Sequence, residues 1–192
     1  MDEQKLLSLK GRERLQYELD KLMNDPDLNN CFGVDYFDPD VDDPDVTHWQ
    51  ITLIPPIESN YEGGFYKIEA KFSENYPYSA PRIKFLNHYN ISSSTGHICL
   101  NSIKEKWSKK NSMENVLNHI IVLLYKQNPS SPLNRDAADN LKNNKSKFLE
   151  EVKKQIKEYA NINDYENLTK QGIKLIEECK CGCHNDEWRS IY

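Results

Sequence analysis

The sequence has no apolar run of the roughly 18 residues that a helix needs to cross a bilayer, so we expect no membrane partner. Its opening, MDEQKLLSLKGRER, is charged throughout and lacks the apolar stretch of a secretory signal. The chain also has fewer positively than negatively charged residues, with 25 Lys and Arg and 30 Asp and Glu. A net charge of -5 argues against nucleic acid as the main partner, since binding phosphates requires a basic surface.

Cysteine is scarce and odd in number, with five in the chain. Without a secretory signal, this count favours free thiols in a reducing compartment, the cytoplasm or the nucleus. Cys179, Cys181 and Cys183 crowd the end of the chain, next to His184. These are ligand types for zinc or copper, but closed zinc sites usually use pairs spaced by two or more residues, and the tail has no second pair. We therefore expect no metal and no cofactor.

Charge is unevenly distributed along the chain. Residues 24–48 hold eight Asp and no Lys or Arg, whereas residues 101–157 hold twelve Lys or Arg against six Asp or Glu. An acidic block and a basic block on one fold indicate protein partners of complementary charge. For any single charged residue, a solvated surface position is the simpler interpretation.

The apolar pattern predicts an α+β fold with the helices segregated from the sheet. A first helix is expected over residues 10–23, and Leu6, Leu7 and Leu9 before it are expected to be exposed or docked on a partner. Short connections favour an antiparallel four-stranded meander, followed by a long segment without periodicity over residues 86–111, a feature that is usually functional. Three helices then complete the domain, the first capped by Ser112 and the second by Asn134. The strands are expected at residues 34–37, 49–53, 65–72 and 83–85, and the last helix at residues 146–159.

Cys99, in the sequence GHICLN, is the residue of this long segment with the most reactive chemistry. A lone cysteine is most often a small buried hydrophobic residue. It can also be a nucleophile, since a thiol supplies useful thiolate at neutral pH. A thiol protease would need an orienting Asn or Asp and an oxyanion hole elsewhere, and the short meander offers no obvious one.

Seven motifs, in order along residues 12–160, make the chain resemble the ubiquitin-conjugating enzymes. No single motif is decisive, but seven in the family order make a chance match very improbable. The resemblance implies a conjugating core at residues 1–160 and a C-terminal extension at residues 161–192. The motifs are the N-terminal helix, Trp49, Tyr61-Glu62-Gly63-Gly64, Tyr76-Pro77-Tyr78-Ser79-Ala80-Pro81, Ile98-Cys99-Leu100-Asn101, Trp107-Ser108 and Asn128-Pro129-Ser130-Ser131-Pro132-Leu133-Asn134.

The resemblance implies a transferase in which Cys99 carries ubiquitin as a thioester. An activating enzyme would supply the modifier, and a ligase would direct it to a lysine of a protein substrate. A thioester conserves acyl-transfer potential, and a thiol can both attack and leave. No strong activation of Cys99 is needed, so the lack of a dedicated base is no objection.

Three further catalytic positions follow from the resemblance. Asn90, in His88-Tyr89-Asn90, matches the family Asn that steadies the active-site loop and the oxyanion, although Tyr replaces the usual Pro and Asn87 can also fill the role. Asn101 lies in the cysteine motif. Ser131 stands where many members carry an acid facing the incoming lysine, which leaves Asp136, a partner or phosphorylation as the source of charge.

The resemblance also implies a ligase-facing surface made by the first helix and two loops. The matching positions are Tyr78, in the Tyr-Pro-Tyr motif, and Ser108, Lys109 and Lys110 after Trp107. Because Lys109 and Lys110 make this surface basic, we expect ligase choice to differ from the common family pattern.

Two alternatives to a ubiquitin carrier remain open. Three stretches resemble the neddylating branch, in which a similar N-terminal peptide docks on the activating enzyme: residues 5–10, residues 99–101 and residues 132–138. The other alternative is a non-catalytic variant that only binds ubiquitin, but such variants lack the cysteine that this chain has at position 99.

Overall fold

The computed structural model of the protein describes four segments of the chain, residues 3–24, 32–86, 106–127 and 134–160. Within them, two helices precede four strands and three helices follow. This order confirms the predicted α+β fold and adds one short helix at the beginning. The elements are α1 (Glu3–Ser8), α2 (Gly11–Asn24), β1 (Phe32–Tyr36), β2 (His48–Leu53), β3 (Tyr66–Lys71), β4 (Arg82–Phe85), α3 (Met113–Tyr125), α4 (Arg135–Asn143) and α5 (Lys145–Tyr159).

The strands form one antiparallel sheet in the order β1-β2-β3-β4, which confirms the predicted meander. A row of apolar residues crosses it, because Val34 pairs with Ile51, Ile51 with Ile68, and Ile68 with Phe85. Successive side chains of a strand point to opposite faces, so this register places the apolar set on one face. The first strand begins at Phe32, two residues before its predicted start.

Helices α2 and α3 share the hydrophobic core with this sheet face. Leu19 of α2, Leu117 of α3 and Trp49 of β2 all belong to the same cluster and are fully buried. The Trp49 indole N–H donates to the carbonyl of Val46 across 2.7 Å, so its polar atom is satisfied inside the core. Six residues of α3 are buried, so this helix contributes a large part of the core.

Two predicted helix caps are confirmed. The hydroxyl of Ser112 accepts a hydrogen bond from the Asn115 backbone N–H, and the Asn115 side chain accepts one from the Ser112 N–H at 2.9 Å. The side chain of Asn134 accepts from the N–H of Ala137 at 3.0 Å. Each cap satisfies donors that the first helical turn leaves unpaired, and so fixes where α3 and α4 begin.

The expectation that Leu6 is exposed or docked on a partner was wrong. Leu6 is only 3% exposed and is buried within its own chain, while Leu7 is half-buried. These residues form the separate helix α1 because Gly11 has a φ of 53°. This left-handed conformation prevents one continuous helix from running through α1 and α2.

The opposite face of the sheet is polar. Atom Oε1 of Glu69 lies 2.9 Å from His48 Nε2 and 3.0 Å from Lys71 Nζ. Burial raises the pKa of Glu69, but hydrogen bonds from Lys71 and His48 outweigh this effect and hold that pKa below its usual value. Among the described helices, none combines the length and apolar character needed to cross a bilayer.

Candidate active site

The described strand and helix on either side of the cysteine motif are β4, which ends at Phe85, and α3, which begins at Met113. Four predicted catalytic residues lie outside the described segments: Asn90, Cys99, Asn101 and Ser131. Their roles therefore stay predictions. The geometry that can be described is that of the surface made by α2 and the two predicted ligase-facing loops.

Trp107 joins these two loops. Its indole N–H donates to the carbonyl of Pro77 across 2.7 Å, and its ring lies 6.0 Å from the ring of Tyr76. The ring also packs against the hydrophobic core. Because Tyr78 and Ser108 are the next residues after this hydrogen-bonded pair, the structure brings both predicted ligase-facing loops together.

A tight turn presents the two lysines of the second loop. The side-chain oxygen of Asn111 accepts hydrogen bonds from the N–H of Ser108 at 2.9 Å and from its hydroxyl at 3.1 Å. The Asn111 N–H in turn donates to the carbonyl of Ser108 at 2.9 Å. With both ends of the turn tied, Lys109 and Lys110 are exposed, as is Tyr78, at 59%.

A buried polar network supports this surface from below. The Arg14 guanidinium donates to the Glu18 carboxylate, to the carbonyl of Leu6 and, at 3.0 Å, to the carbonyl of Asn111. Arg14 and Glu18 are 0% and 2% exposed. Buried charges require partners of this kind, because an unpaired ion would lose its hydration without compensation.

Glu18 extends the network to the first loop and to α3. Its Oε1 accepts from the Tyr76 hydroxyl at 2.8 Å, and its Oε2 accepts from the backbone N–H of Met113 at 2.7 Å. Burial and the Glu18 carboxylate both raise the pKa of Tyr76 well above its usual value. The phenol therefore stays a hydrogen-bond donor, and one carboxylate joins α2, the Tyr-Pro-Tyr loop and the start of α3.

Sequence reasoning missed this network. Arg14 and Glu18 are spaced like an ordinary exposed ion pair on one helix face. The only local signal was their position among the buried leucines of α2, next to Leu15 and Leu19. Their burial depends on Tyr76 and on residues near α3, which are distant in sequence.

Asp136, five residues after Ser131 in the sequence, lies in the first turn of α4 and is exposed. It forms no ion pair with any other described residue. Such a carboxylate is available to a cation from another molecule. The described segments contain no group of three or more metal-binding side chains, and the cysteine-rich tail lies outside them.

This architecture is similar to that of known proteins. The family model described as "Ubiquitin-conjugating enzyme" matches residues 14–156. The chain is 39% identical over 130 residues to "Ubiquitin-conjugating enzyme E2-20 kDa" of Schizosaccharomyces pombe, covering 66% of this chain and 70% of the relative.

Two solved structures share the fold. A crystal structure from Plasmodium yoelii, whose description assigns it to the ubiquitin conjugating enzymes, superposes with a TM-score of 0.70 and 29% identity, over 80% of this chain and 97% of that one. The E2 domain of a Toxoplasma gondii ubiquitin conjugating enzyme gives 0.67 and 27%, over 78% and 99%. With the meander, the capped central helix and a family match across most of its length, the chain belongs to the ubiquitin-conjugating enzyme family of transferases.

Proposed function

We propose that this enzyme accepts ubiquitin from an activating enzyme as a thioester on Cys99 and passes it to a substrate lysine with the help of a ligase. The observation that carries the proposal is the family match over residues 14–156, which spans Ile98-Cys99-Leu100-Asn101. A variant that only bound ubiquitin would not need a cysteine there. The names of the matched relatives favour ubiquitin over a related modifier.

The proposed chemistry is two successive acyl transfers. The Cys99 thiolate attacks the carbonyl carbon of the thioester on the activating enzyme, forms a new carbon–sulfur bond and expels the thiolate of that enzyme. A neutral lysine amine of the substrate then attacks the Cys99 thioester. The carbon–nitrogen bond forms, the Cys99 thiolate leaves, and the amine loses its proton to solvent. ATP is consumed by the activating enzyme alone.

Asn90 and Ser131 are proposed to assist the second transfer. The Asn90 side-chain amide would direct its N–H toward the negative charge that develops on the carbonyl oxygen. Ser131 would accept a hydrogen bond from the incoming amine, but as a neutral group it cannot attract an ammonium ion. Asp136, exposed in α4 and without an ion-pair partner among the described residues, is the carboxylate we propose for that attraction.

Tyr78, Ser108, Lys109 and Lys110 are proposed to contact the ligase. The support is physical: Trp107 and the buried network hold the two loops in one arrangement. A surface fixed before binding loses less conformational entropy on association than a mobile one does. Its lysines favour partners with acidic surfaces.

The test is thioester formation. The chain is incubated with an activating enzyme, ATP and ubiquitin, and an adduct is sought that a thiol reductant cleaves. We expect the adduct with the unchanged chain, none with Cys99→Ala, and with Cys99→Ser an ester that resists the reductant. Cys31, the other cysteine that lies outside the C-terminal cluster, supplies the matched control, and Cys31→Ser should keep the adduct.

Parallel reactions use each ubiquitin-like modifier with its own activating enzyme. An adduct with one of these and none with ubiquitin would replace ubiquitin in the proposal. No adduct with any modifier would overturn the enzymatic proposal.

A further inference from the structure

The side chain of Gln127 joins the end of α3 to a loop that is distant in sequence. Its amide nitrogen donates a hydrogen bond to the carbonyl of Leu124, one of the last carbonyls of the helix, which lack partners within it. Its amide oxygen accepts from Nδ2 of Asn60 at 2.8 Å. Because a carbonyl can only accept, the nitrogen of Gln127 must face Leu124 and its oxygen must face Asn60. Asn60 therefore has to be the donor of this pair.

Asn60 lies in a loop that buried and hydrogen-bonded residues hold in place. The next residue, Tyr61, is 4% exposed and belongs to the hydrophobic core. The preceding residue, Ser59, is also buried. Its hydroxyl accepts the Tyr61 N–H at 3.3 Å, and its own N–H donates to the carbonyl of Pro56 at 3.1 Å. The loop therefore presents the Asn60 amide from a fixed position.

The same loop also contacts the last pair of helices. The ring of Tyr61 lies 6.3 Å from the ring of Phe148 in α5, at an interplanar angle of 84°. This edge-to-face arrangement is favourable for aromatic pairs. Helix α5 is in turn joined to α4 by a hydrogen bond of 3.0 Å from the Asn140 side chain to the Glu151 carboxylate. One loop thus contacts both the end of α3 and the pair formed by α4 and α5.

The stretch between these contacts, residues 128–133, carries Ser131, which is proposed to accept a hydrogen bond from the incoming lysine amine. The bond between Gln127 and Asn60 fixes the chain where this stretch begins. The helix cap of Asn134 fixes it where the stretch ends. Fixing both ends of a short stretch reduces the number of conformations open to it, and so lowers the entropy lost when one of them is selected.

We propose that Asn60 and Gln127 are positioning residues for transfer to lysine, because their hydrogen bond sets the direction in which the chain leaves α3 toward Ser131. They act through Ser131 and are assigned no contact with the reacting atoms. Small displacements matter in such a site, since a shift of about 1 Å can slow a reaction about a hundredfold. The inference rests on the proposed thioester chemistry, and it adds two residues that lie outside the seven sequence motifs.

The test compares two discharge reactions of the preformed Cys99 thioester in single turnovers without a ligase. One acceptor is free lysine. The other is 2-mercaptoethanol, whose thiolate attacks the same carbonyl carbon without an amine to orient. Asn60→Asp keeps the shape of the side chain but replaces its donor by an oxygen. We expect it to slow transfer to lysine about tenfold and to change transfer to the thiol less than about twofold.

Two readouts exclude a general effect of the substitution. A general disturbance of the active site would change both discharge rates, whereas loss of positioning changes the lysine reaction alone. Asn143→Asp, at an exposed amide at the end of α4, is the matched control for the added charge. It should leave both rates within about twofold of the unchanged chain.

Further variants test the hydrogen bond itself. Gln127→Leu removes the acceptor and should slow transfer to lysine about as much as Asn60→Asp does. The double variant should be less than about twofold slower than either single one, whereas independent losses would multiply to about a hundredfold. Gln127→Lys should return Asn60→Asp to within about threefold of the unchanged rate, because its ammonium group can donate both to the carboxylate and to the Leu124 carbonyl.

The outcomes separate this inference from the proposed function. An unchanged chain that forms no thioester would overturn both. Normal thioester formation, with Asn60→Asp and Gln127→Leu discharging to lysine at the unchanged rate, would overturn the positioning role alone. Equal slowing of the lysine and thiol reactions, or multiplied losses in the double variant, would also overturn it. Asn60→Ala replaces Asn60→Asp if thermal unfolding shows that the latter does not fold, and should slow transfer to lysine about as much.

Discussion

The hydroxyl of Tyr76 donates a hydrogen bond to the carboxylate of Glu18 at 2.8 Å, although the two residues are 58 positions apart in the sequence. The other carboxylate oxygen accepts the N–H of Met113 at the start of α3. Arg14 compensates the charge of the carboxylate inside the protein. Glu18 is therefore the residue through which α2 fixes the loop before Tyr78 and the helix after Lys110.

Removing the Glu18 carboxylate should be costly. We expect Glu18→Ala to destabilise the fold by about 3 to 5 kcal/mol, because it leaves Arg14 buried without its counter-ion. Tyr76→Phe should cost only about 1 to 2 kcal/mol, since it removes one hydrogen bond and leaves the ion pair intact. Urea unfolding measures both. Glu13→Gln, on the exposed face of the same helix, is the control and should stay within about 0.5 kcal/mol. Equal losses for Glu18→Ala and Glu13→Gln would contradict the role assigned to Glu18.

Alkaline pH should unfold the protein through its buried tyrosines. Burial raises the pKa of Tyr61 and Tyr66, and burial together with Glu18 raises that of Tyr76. Since each pKa is higher in the folded state, the stability they contribute is complete below about pH 10, the value of an unfolded tyrosine, and is lost as pH rises above it. Each buried tyrosine can remove up to about 1.4 kcal/mol per pH unit.

Near-ultraviolet absorbance of tyrosinate, followed together with circular dichroism, tests this expectation. Part of the tyrosine ionisation should coincide with loss of helix. Tyr66→Phe should make the decline of stability above pH 10 less steep. Complete ionisation of all tyrosines in a protein that is still folded would contradict it.

Local patterns were enough to predict much of this fold. Ser112 and Asn134 were identified as caps because a cap acts on backbone groups within three residues. The alternation around Ile51 and Ile68 predicted the sheet because the two-residue period is a property of each strand. In contrast, the burial of Arg14 and Glu18 depends on contacts from α1, the Tyr76 loop and the start of α3, which no local pattern reports.

The catalytic assignments remain sequence predictions. Cys99 and its companions were identified by residue type and motif order, and they lie outside the described segments. The predicted ligase-facing positions could be identified from the sequence, while their proximity became visible only through the hydrogen bond between Trp107 and Pro77. Local sequence patterns therefore could not predict the contact of the Trp107 side chain, because its partner is distant in sequence.

The two glycines of the Tyr-Glu-Gly-Gly motif should resist substitution for different reasons. A Cβ on Gly64 would lie 2.7 Å from the ring of Tyr66, which is buried against Phe85 and cannot move aside freely. We expect Gly64→Ala to cost about 1 to 3 kcal/mol through this collision. Gly63 has open space around it but a φ of 78°, so Gly63→Ala should cost about 1 to 2 kcal/mol through backbone strain.

A double-mutant cycle distinguishes the two causes. Adding Tyr66→Leu should relieve part of the cost of Gly64→Ala and none of the cost of Gly63→Ala, as measured by thermal unfolding. Equal coupling of Tyr66→Leu to both substitutions would contradict the collision.

The lysines after Ser108 should control the rate at which an acidic partner binds. We expect Lys109→Ala with Lys110→Ala to slow association with an acidic ligase about two- to tenfold at low ionic strength, because charge steers the encounter. High salt should remove most of this difference, since it screens exposed charges beyond about 3 Å at 1 M. Stopped-flow or surface binding measures the rate. Lys153→Ala with Lys157→Ala, exposed on α5, is the control, and an equal effect there would assign the result to net charge alone.

Ser131 should set the speed of transfer to free lysine. In the proposed second transfer, an amine must be neutral and oriented to attack the Cys99 thioester, and an adjacent carboxylate helps by hydrogen-bonding to the ammonium ion before the proton leaves. Positioned acids and bases contribute about a hundredfold or more when geometry is favourable, so we expect Ser131→Asp to raise discharge to lysine about tenfold or more. Ser131→Ala should lower it less than about threefold, because serine offers only a neutral acceptor.

Single-turnover discharge of the preformed thioester measures the rate, and Ser130→Asp controls for added charge alone. Equal acceleration by Ser130→Asp and Ser131→Asp would show that position 131 has no special relation to the acceptor lysine.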